Sequence, residues 1–366
     1  MAGLLELIAE AERQLTICNA CRYCEGYCAV FPAAERRSAF ALGDVVQLAN
    51  LCHDCRACHQ ACMFAPPHEF GVDIPGLMRQ VRLAGYRRYA WPGALAALFG
   101  RPRLTAALVG LAGMLLALLA VVWSHGPGAL ARSHTGPGAF YQLIGYELLL
   151  AGFLALTALV VLVLGVGGRR LWRDVGGDRA SLDPGAWAAT LADVLLLRYL
   201  GGGGGGCYHP DPLHPSRARR VLHQLLFGGF ALAFAATLAA AVEQDLLGWL
   251  PPYPLLSVPV LLGTAGGAAM VIGAGGLLWL GRRASTTDAP RSRTLDGAFL
   301  WLSEAVGVSG LALLALRTTP LIGPLLILHL GTVVGVFVTA PYGKLVHGLH
   351  RTLALLQDRA EARREP

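Results

Sequence analysis

Charge is scarce in this chain of 366 residues: Asp, Glu, Lys and Arg make up 14%, against 55% hydrophobic residues. A polypeptide so poor in charge cannot cover the surfaces of the two or three soluble domains that its length alone would allow, so the apolar excess must be buried in lipid. Cysteine is equally confined. Eight of the nine lie within the first 62 residues and the remaining one is Cys207, a distribution unlike a secreted disulfide scaffold and expected of a cofactor site in a reducing compartment. The opening "MAGLLELIAEAER" lacks a basic n-region and a sustained apolar core, which makes it a poor signal peptide. The net charge is +7, yet no basic helix with interleaved aromatics appears, which excludes a nucleic-acid partner. The arginines instead flank apolar runs.

Six of those runs approach the ~20 residues needed to cross about 30 Å of hydrocarbon; they fall at 104–124, 143–166, 220–243, 255–281, 295–317 and 321–345. Residues 1–103 hold eleven Lys and Arg, 167–220 eight, 282–294 four and 344–366 five, whereas the loops at 125–142, 244–254 and 318–320 hold only Arg132. The positive-inside tendency then places both termini and the basic loops in the cytoplasm of a cell whose inner membrane the chain crosses. The expected architecture is all-α: a helical head over 1–100, a six-span bundle over 101–350 and a tail over 351–366. The stretch "DPGAWAATLADVLLLRYL" (183–200) is too short and too charged for a seventh crossing and reads as an interfacial helix with an Asp-Pro start. "GGGGGGC" follows it, a flexible loop by composition or one pressed against a cofactor or docking partner. Cys207 has no neighbouring thiol in sequence and is read as a non-ligand.

The chemistry lies in "CNACRYCEGYC" and "CHDCRACHQAC", where Cys18, Cys21, Cys24 and Cys28 return as Cys52, Cys55, Cys58 and Cys62, each 34 residues later. Gaps of two residues place three sulfurs around one small object, and the wider third gap carries the fourth away. In two-cluster ferredoxins that fourth cysteine ligates the other cluster. Cys18, Cys21, Cys24 and Cys62 are therefore expected to hold one [4Fe-4S] cluster, and Cys52, Cys55, Cys58 and Cys28 the second. Zinc, which closes a tetrahedron from two separated pairs, fits two complete tandem ladders poorly. The proline that usually follows the fourth cysteine is replaced by Ala29 and Met63. Apolar residues between the ladders recur at helical spacing, so the head is expected to be an α-helical ferredoxin.

Histidines inside lipid point to function. His329 and His347, 18 residues apart on the last span, are expected to share one helix face about 27 Å apart, one near each membrane surface. His223, at the cytoplasmic start of the third span, matches the depth of His347, and the pair is expected to clamp a haem b iron, with His350 as substitute ligand. His329 has three readings: a further haem ligand, a quinone partner or a satisfied core histidine. Only Tyr146, His125 and His134 could serve an outer haem. Glu147 and Glu304 are candidates for proton uptake at a quinone, or for hydrogen bonds between helices.

The two ladders, "GGGGCY", "RARRVLHQLLFGGF" and "APYGKLVHGLHR" together resemble the tricarballylate and citrate utilisation protein B family, a region also related to the C-terminal half of a fused flavin, iron–sulfur and haem protein of cobalamin synthesis. The resemblance spans nearly the whole chain. It implies a partner, an FAD-dependent dehydrogenase of a tricarballylate-like acid, whose reduced flavin passes electrons through two [4Fe-4S] clusters and haem b to membrane quinone. The histidine spacing of the last span is also similar to the cytochrome b subunit of membrane nitrate reductases, which implies a haem role for His329. Two alternatives stand beside this relay: a quinol-oxidising subunit that feeds a cytoplasmic reductase, and a membrane-tethered cluster sensor without haem.

Overall fold

The computed structural model describes residues 2–178, 183–284 and 290–364. Residues 179–182 and 285–289, which belong to two of the basic loops, lie outside the described residues. Every regular segment among the described residues is helical. Five helices build the head: α1 (Ala2–Cys21), α2 (Val30–Glu35), α3 (Leu42–Leu51), α4 (Ala57–Ala61) and α5 (Ile74–Tyr89). Apolar residues at three- and four-residue spacing on α1, α3 and α5 interlock as Leu15, Val45, Leu48, Leu51, Met78 and Val81, none more than 1% exposed. Asp73 caps α5 by accepting from Gly76 N at 3.0 Å, and Pro75 lies in its first turn, where its missing N–H costs nothing.

A short α6 (Gly93–Leu98) leads into the apolar helices α7 (Pro102–His125) and α8 (Tyr146–Asp174). After α9 (Pro184–Leu195) come α10 (Ala218–Asp245), α11 (Val258–Arg283), α12 (Pro290–Ala315) and α13 (Ile322–Thr339). Six of these helices are long and apolar enough to cross a membrane, and α9 is not among them; the chain is a multi-pass membrane protein. Their outward leucines, Leu115, Leu116 and Leu119 on α7 among them, are more than half exposed, as a lipid-facing surface requires. Packing inside the bundle relies on glycine. A Cβ on Gly273 of α11 would lie 2.5 Å from Leu226 N of α10, and one on Gly266 would lie 2.7 Å from Ala233 N, so only a bare backbone permits this approach.

α8 starts at Tyr146, which puts Glu147 in its exposed first turn, where a carboxylate complements the helix dipole. One expectation changes. The last span is broken. α13 stops at Thr339, residues 340–345 turn, and α14 (Val346–Ala362) begins. Pro341 has no N–H to continue the ladder, Gly343 N bonds back to Thr339 O at 2.7 Å, and Thr339 Oγ1 takes Gly335 O at 2.7 Å. His329 and His347 therefore sit on different helices, and the shared-face expectation, which needed one continuous helix, fails.

The residues expected to form a tail are instead part of the head. Ala354 and Leu355 of α14 join the head core together with Leu171 and Val175 of α8. Arg36 pairs with Asp358, Arg37 pairs with Glu361 at 2.8 Å, Arg359 pairs with Asp193 of α9, and Tyr89 donates to Asp174 at 3.0 Å. The ends of α8 and α14 and the helix α9 are thus tied to the head.

Candidate functional site

Each ladder begins at a helix end and turns sharply one residue after its second cysteine. Arg22 (φ 55°) and Arg56 (φ 62°) occupy equivalent places in the 34-residue repeat, and both adopt the left-handed conformation. That conformation is unfavourable for a side chain other than glycine, so its recurrence marks a constraint shared by the two copies. The turn brings the third cysteine back beside the first two. Arg22 N to Cys18 O (2.8 Å) and Tyr27 N to Cys24 O (2.9 Å) tie the first copy, and Gln60 N to Arg56 O (3.0 Å) ties the second.

The fourth cysteines cross over. Cys18, Cys21, Cys24 and Cys62 line one cavity with Ile17, Tyr23, Phe31, Met63, Phe64 and Val72. Cys28 lies instead beside Cys52 and Cys55, and Cys58 beside Cys52, Cys28 and Cys55. Cys28, Cys52, Cys55 and Cys58 thus lie together, with Cys24 of the first cavity also near Cys58. Burial, followed by its own set-mates Cys62, Cys24 and Cys21, pushes the Cys18 thiol up to about 12; burial, then Cys62 and Cys21, pushes Cys24 up to about 11. Burial and Cys52 raise Cys28 as well, although the N–H groups of Val30 and Phe31 at the start of α2 point at its sulfur and oppose the rise. Four thiolates held this close need a cation to compensate them. Among the described residues no group of three His, Cys, Asp or Glu side chains is close enough to hold a metal ion.

The second set is far more enclosed. Cys52 is 6% exposed, and Cys21 of the first set is exposed. Three arginines from three different parts of the chain close over residues 49–54. Arg82 Nη1 donates to Ala49 O and Cys52 O at 2.7 Å each, Arg351 Nη2 donates to Cys52 O at 2.9 Å, and Arg219 Nη1 donates to His53 O and Asp54 O at 3.1 and 2.9 Å. Sequence reasoning missed all three, since nothing local distinguishes them from other basic residues. It also set Cys207 aside. Cys207 is buried next to Cys55, its neighbour Tyr208 bonds to Cys55 O at 2.8 Å, and Arg219 reaches its sulfur. The glycine run lies against the first ladder: Gly203 touches the Tyr27 carbonyl, and a Cβ on Gly204 (φ 55°) would meet the Tyr27 ring at 2.6 Å. The run is packed against the chain itself, at Tyr27 of the first ladder.

Beneath the second set, His223 of α10 and His347 of α14 face each other with ring centroids 6.0 Å apart and planes at 82°. His347 Nδ1 bonds to Lys344 O at 2.5 Å, which leaves Nε2 with the free lone pair. Burial, with Lys344 and Arg351 adding to it, holds the His347 imidazole well below its usual pKa and hence neutral. His223 Nδ1 is buried without a hydrogen-bond partner. His350 is turned away from the pair, edge-on to Tyr86 and Tyr89 at 5.4 and 5.9 Å within the head, so it is no substitute ligand.

His329 lies apart, between α12 and α13, where its Nδ1 and Ser309 Oγ share a 3.0 Å hydrogen bond. Both nitrogens of His134 are engaged, by Gln142 and by Ala129 O, and Tyr146 donates to Asp245 at 2.6 Å. The candidates for an outer ligand beside His329 are thus committed elsewhere, save the exposed His125. Glu304 faces Gly275 of α11 and keeps its Oε2 buried without a partner.

Two family models match the chain: citrate utilization protein B over residues 100–366 and the citrate utilization protein B Fer4-like domain over residues 11–88. The chain is also similar to the citrate utilization protein B of Escherichia coli, 42% identical over 365 residues that cover 99% of this chain and 94% of that one. No solved structure matches it.

Proposed function

The chain belongs to the citrate utilization protein B family, and from that premise we propose that it is a membrane-bound electron-transfer protein of citrate or tricarballylate utilisation. Cys18, Cys21, Cys24 and Cys62 would hold one [4Fe-4S] cluster, Cys28, Cys52, Cys55 and Cys58 the other, and His223 with His347 a haem b iron. Bound there, these groups supply one-electron carriers between a two-electron flavin donor, on a separate FAD-dependent dehydrogenase, and membrane quinone.

One observation carries the reading. Arg219 and His223 lie one turn apart on α10, His347 and Arg351 lie one turn apart on α14, and both arginines donate to the backbone of Cys52–Asp54. The two helices that present the imidazoles are thereby fastened to the second cysteine set. His223 and His347, with ring centroids 6.0 Å apart, would supply the imidazole nitrogens that hold the iron. The exposed Cys21 and the apolar Tyr23 and Met63, 63% and 69% exposed, give the first set an open side toward a soluble donor. Glu304, a carboxylate within a span whose Oε2 is buried without a partner, would exchange a proton with the quinone.

Protein purified anaerobically in detergent should contain about eight irons with matching labile sulfide, the content of two cubanes, and should show a b-type band on reduction. Zinc in place of that iron and sulfide would refute the cluster assignment, and a missing b-type band would refute the haem assignment.

A further inference from the structure

The second cysteine set carries more positive charge around it than the groups present can balance. Arg82, Arg219 and Arg351 spend the hydrogen bonds described above on main-chain carbonyls. Arg351 also keeps Nε and Nη1 buried with no partner. Asp54 is the carboxylate of this neighbourhood, and Arg79 already pairs with it at 3.1 Å, with Arg56 at 3.9 Å. The buried Arg82 and the partly buried Arg219 and Arg351, clustered with Asp54 as a carboxylate already paired to Arg79, would repel one another and be poorly solvated; an anion completes the site. A cubane held by four thiolates is such an anion. Around the first set the neighbours of Cys18 and Cys24 are their own set-mates, and the cavity wall is Tyr23, Phe31, Met63, Phe64 and Val72.

We propose that Arg82, Arg219 and Arg351 set the order of reduction of the two centres, holding the Cys28/Cys52/Cys55/Cys58 centre at a higher potential than the Cys18/Cys21/Cys24/Cys62 centre. This rests on the cluster reading of the previous subsection and adds a direction to it. One-electron reduction adds one negative charge to a cubane. Burial alone disfavours that charge and lowers the potential; adjacent cations favour it and raise the potential. Three guanidiniums at the enclosed set outweigh its burial. An electron that enters the open first centre from a reduced flavin then moves to the second centre: the first is oxidised by one electron, the second is reduced by one, and no bond or proton changes place. The second centre is the one fastened to α10 and α14, so the gradient points toward His223 and His347. Arg219 and Arg351 belong to the membrane half of the chain, and they act as positioning and tuning residues for a centre in the head.

The test is an anaerobic redox titration of the full-length protein in detergent, with dithionite as reductant and electron paramagnetic resonance as readout. Cys21→Ser identifies the spectrum of the first centre by altering it. In the wild type the second-centre signal should appear first as the potential is lowered. Arg351→Gln should shift the electron distribution at least tenfold away from the second centre, about 59 mV for one electron, with the first-centre midpoint unmoved, and Arg351→Lys should recover most of the shift. A wild-type second centre that reduces after the first, or variants that move both midpoints equally or neither, overturns the proposal. If Arg351→Gln does not accumulate, the wild-type order and the same measurement on Arg82→Gln decide. Wild-type protein without labile sulfide overturns the cluster reading as well, and that failure is recognised by iron and sulfide analysis before any titration.

Discussion

The two cysteine ladders share a spacing, a 34-residue offset and a left-handed arginine at the same step, yet they sit in opposite surroundings. The first opens to solvent through Cys21, Tyr23 and Met63; the second is roofed by arginines contributed from residues 82, 219 and 351. Local sequence therefore fixes which sulfurs can gather, while residues far along the chain decide what the gathered sulfurs experience. Two copies of one motif become two different stations.

The comparison can be broken most drastically at the crossed cysteines. Cys62→Ala should abolish the same paramagnetic signal as Cys21→Ala, and Cys28→Ala the same signal as Cys55→Ala; a Cys62→Ala protein that loses the Cys55-type signal instead would show that the sets are not interleaved. Next in size is the imidazole pair. His223→Ala and His347→Ala should each remove the b-type absorption while both cluster signals persist, whereas His329→Ala, which removes the bond to Ser309, should retain it.

The roof itself comes third. Arg82→Ala strips the charged donor from two buried carbonyls and should cost about 2–4 kcal/mol, measured by thermal unfolding of the detergent-solubilised protein. The smallest effect belongs to the open side. Met63→Ser, on a side chain 69% exposed, should change stability by no more than about 0.5 kcal/mol in the same assay. A loss comparable to that of Arg82→Ala would erase the contrast between the two surroundings.

What the sequence disclosed follows the same division. The six spans were legible because hydropathy sums over about 20 residues, and the interleaved cysteine sets because three short gaps leave the chain few paths. The pairing of His223 with His347 was foreseen on matched depth, although one premise about the last span was wrong. The span was carried on through residues 340–345, and the break there was written in "APYGK", whose proline, glycine and lysine a window average absorbs. The burial of Cys207 beside Cys55 was not legible, because proximity can be sought only along the chain and Cys55 lies 152 positions earlier. The arginine roof was invisible for the same reason: its members meet only after α5, α10 and α14 have packed.

The placement of α14 has a consequence for how the molecule is made. Ribosomes deliver the head first, and domains ordinarily fold in the order they emerge, yet here Arg36 and Arg37 must wait for Asp358 and Glu361, and the Cys52 carbonyl must wait for Arg351. The head is thus left unfinished until the 17-residue α14 has been synthesised and the membrane segments before it have been inserted. Maturation of the enclosed centre is thereby deferred to the end of biogenesis, so a chain that fails to insert is also one that never seals its inner cysteines.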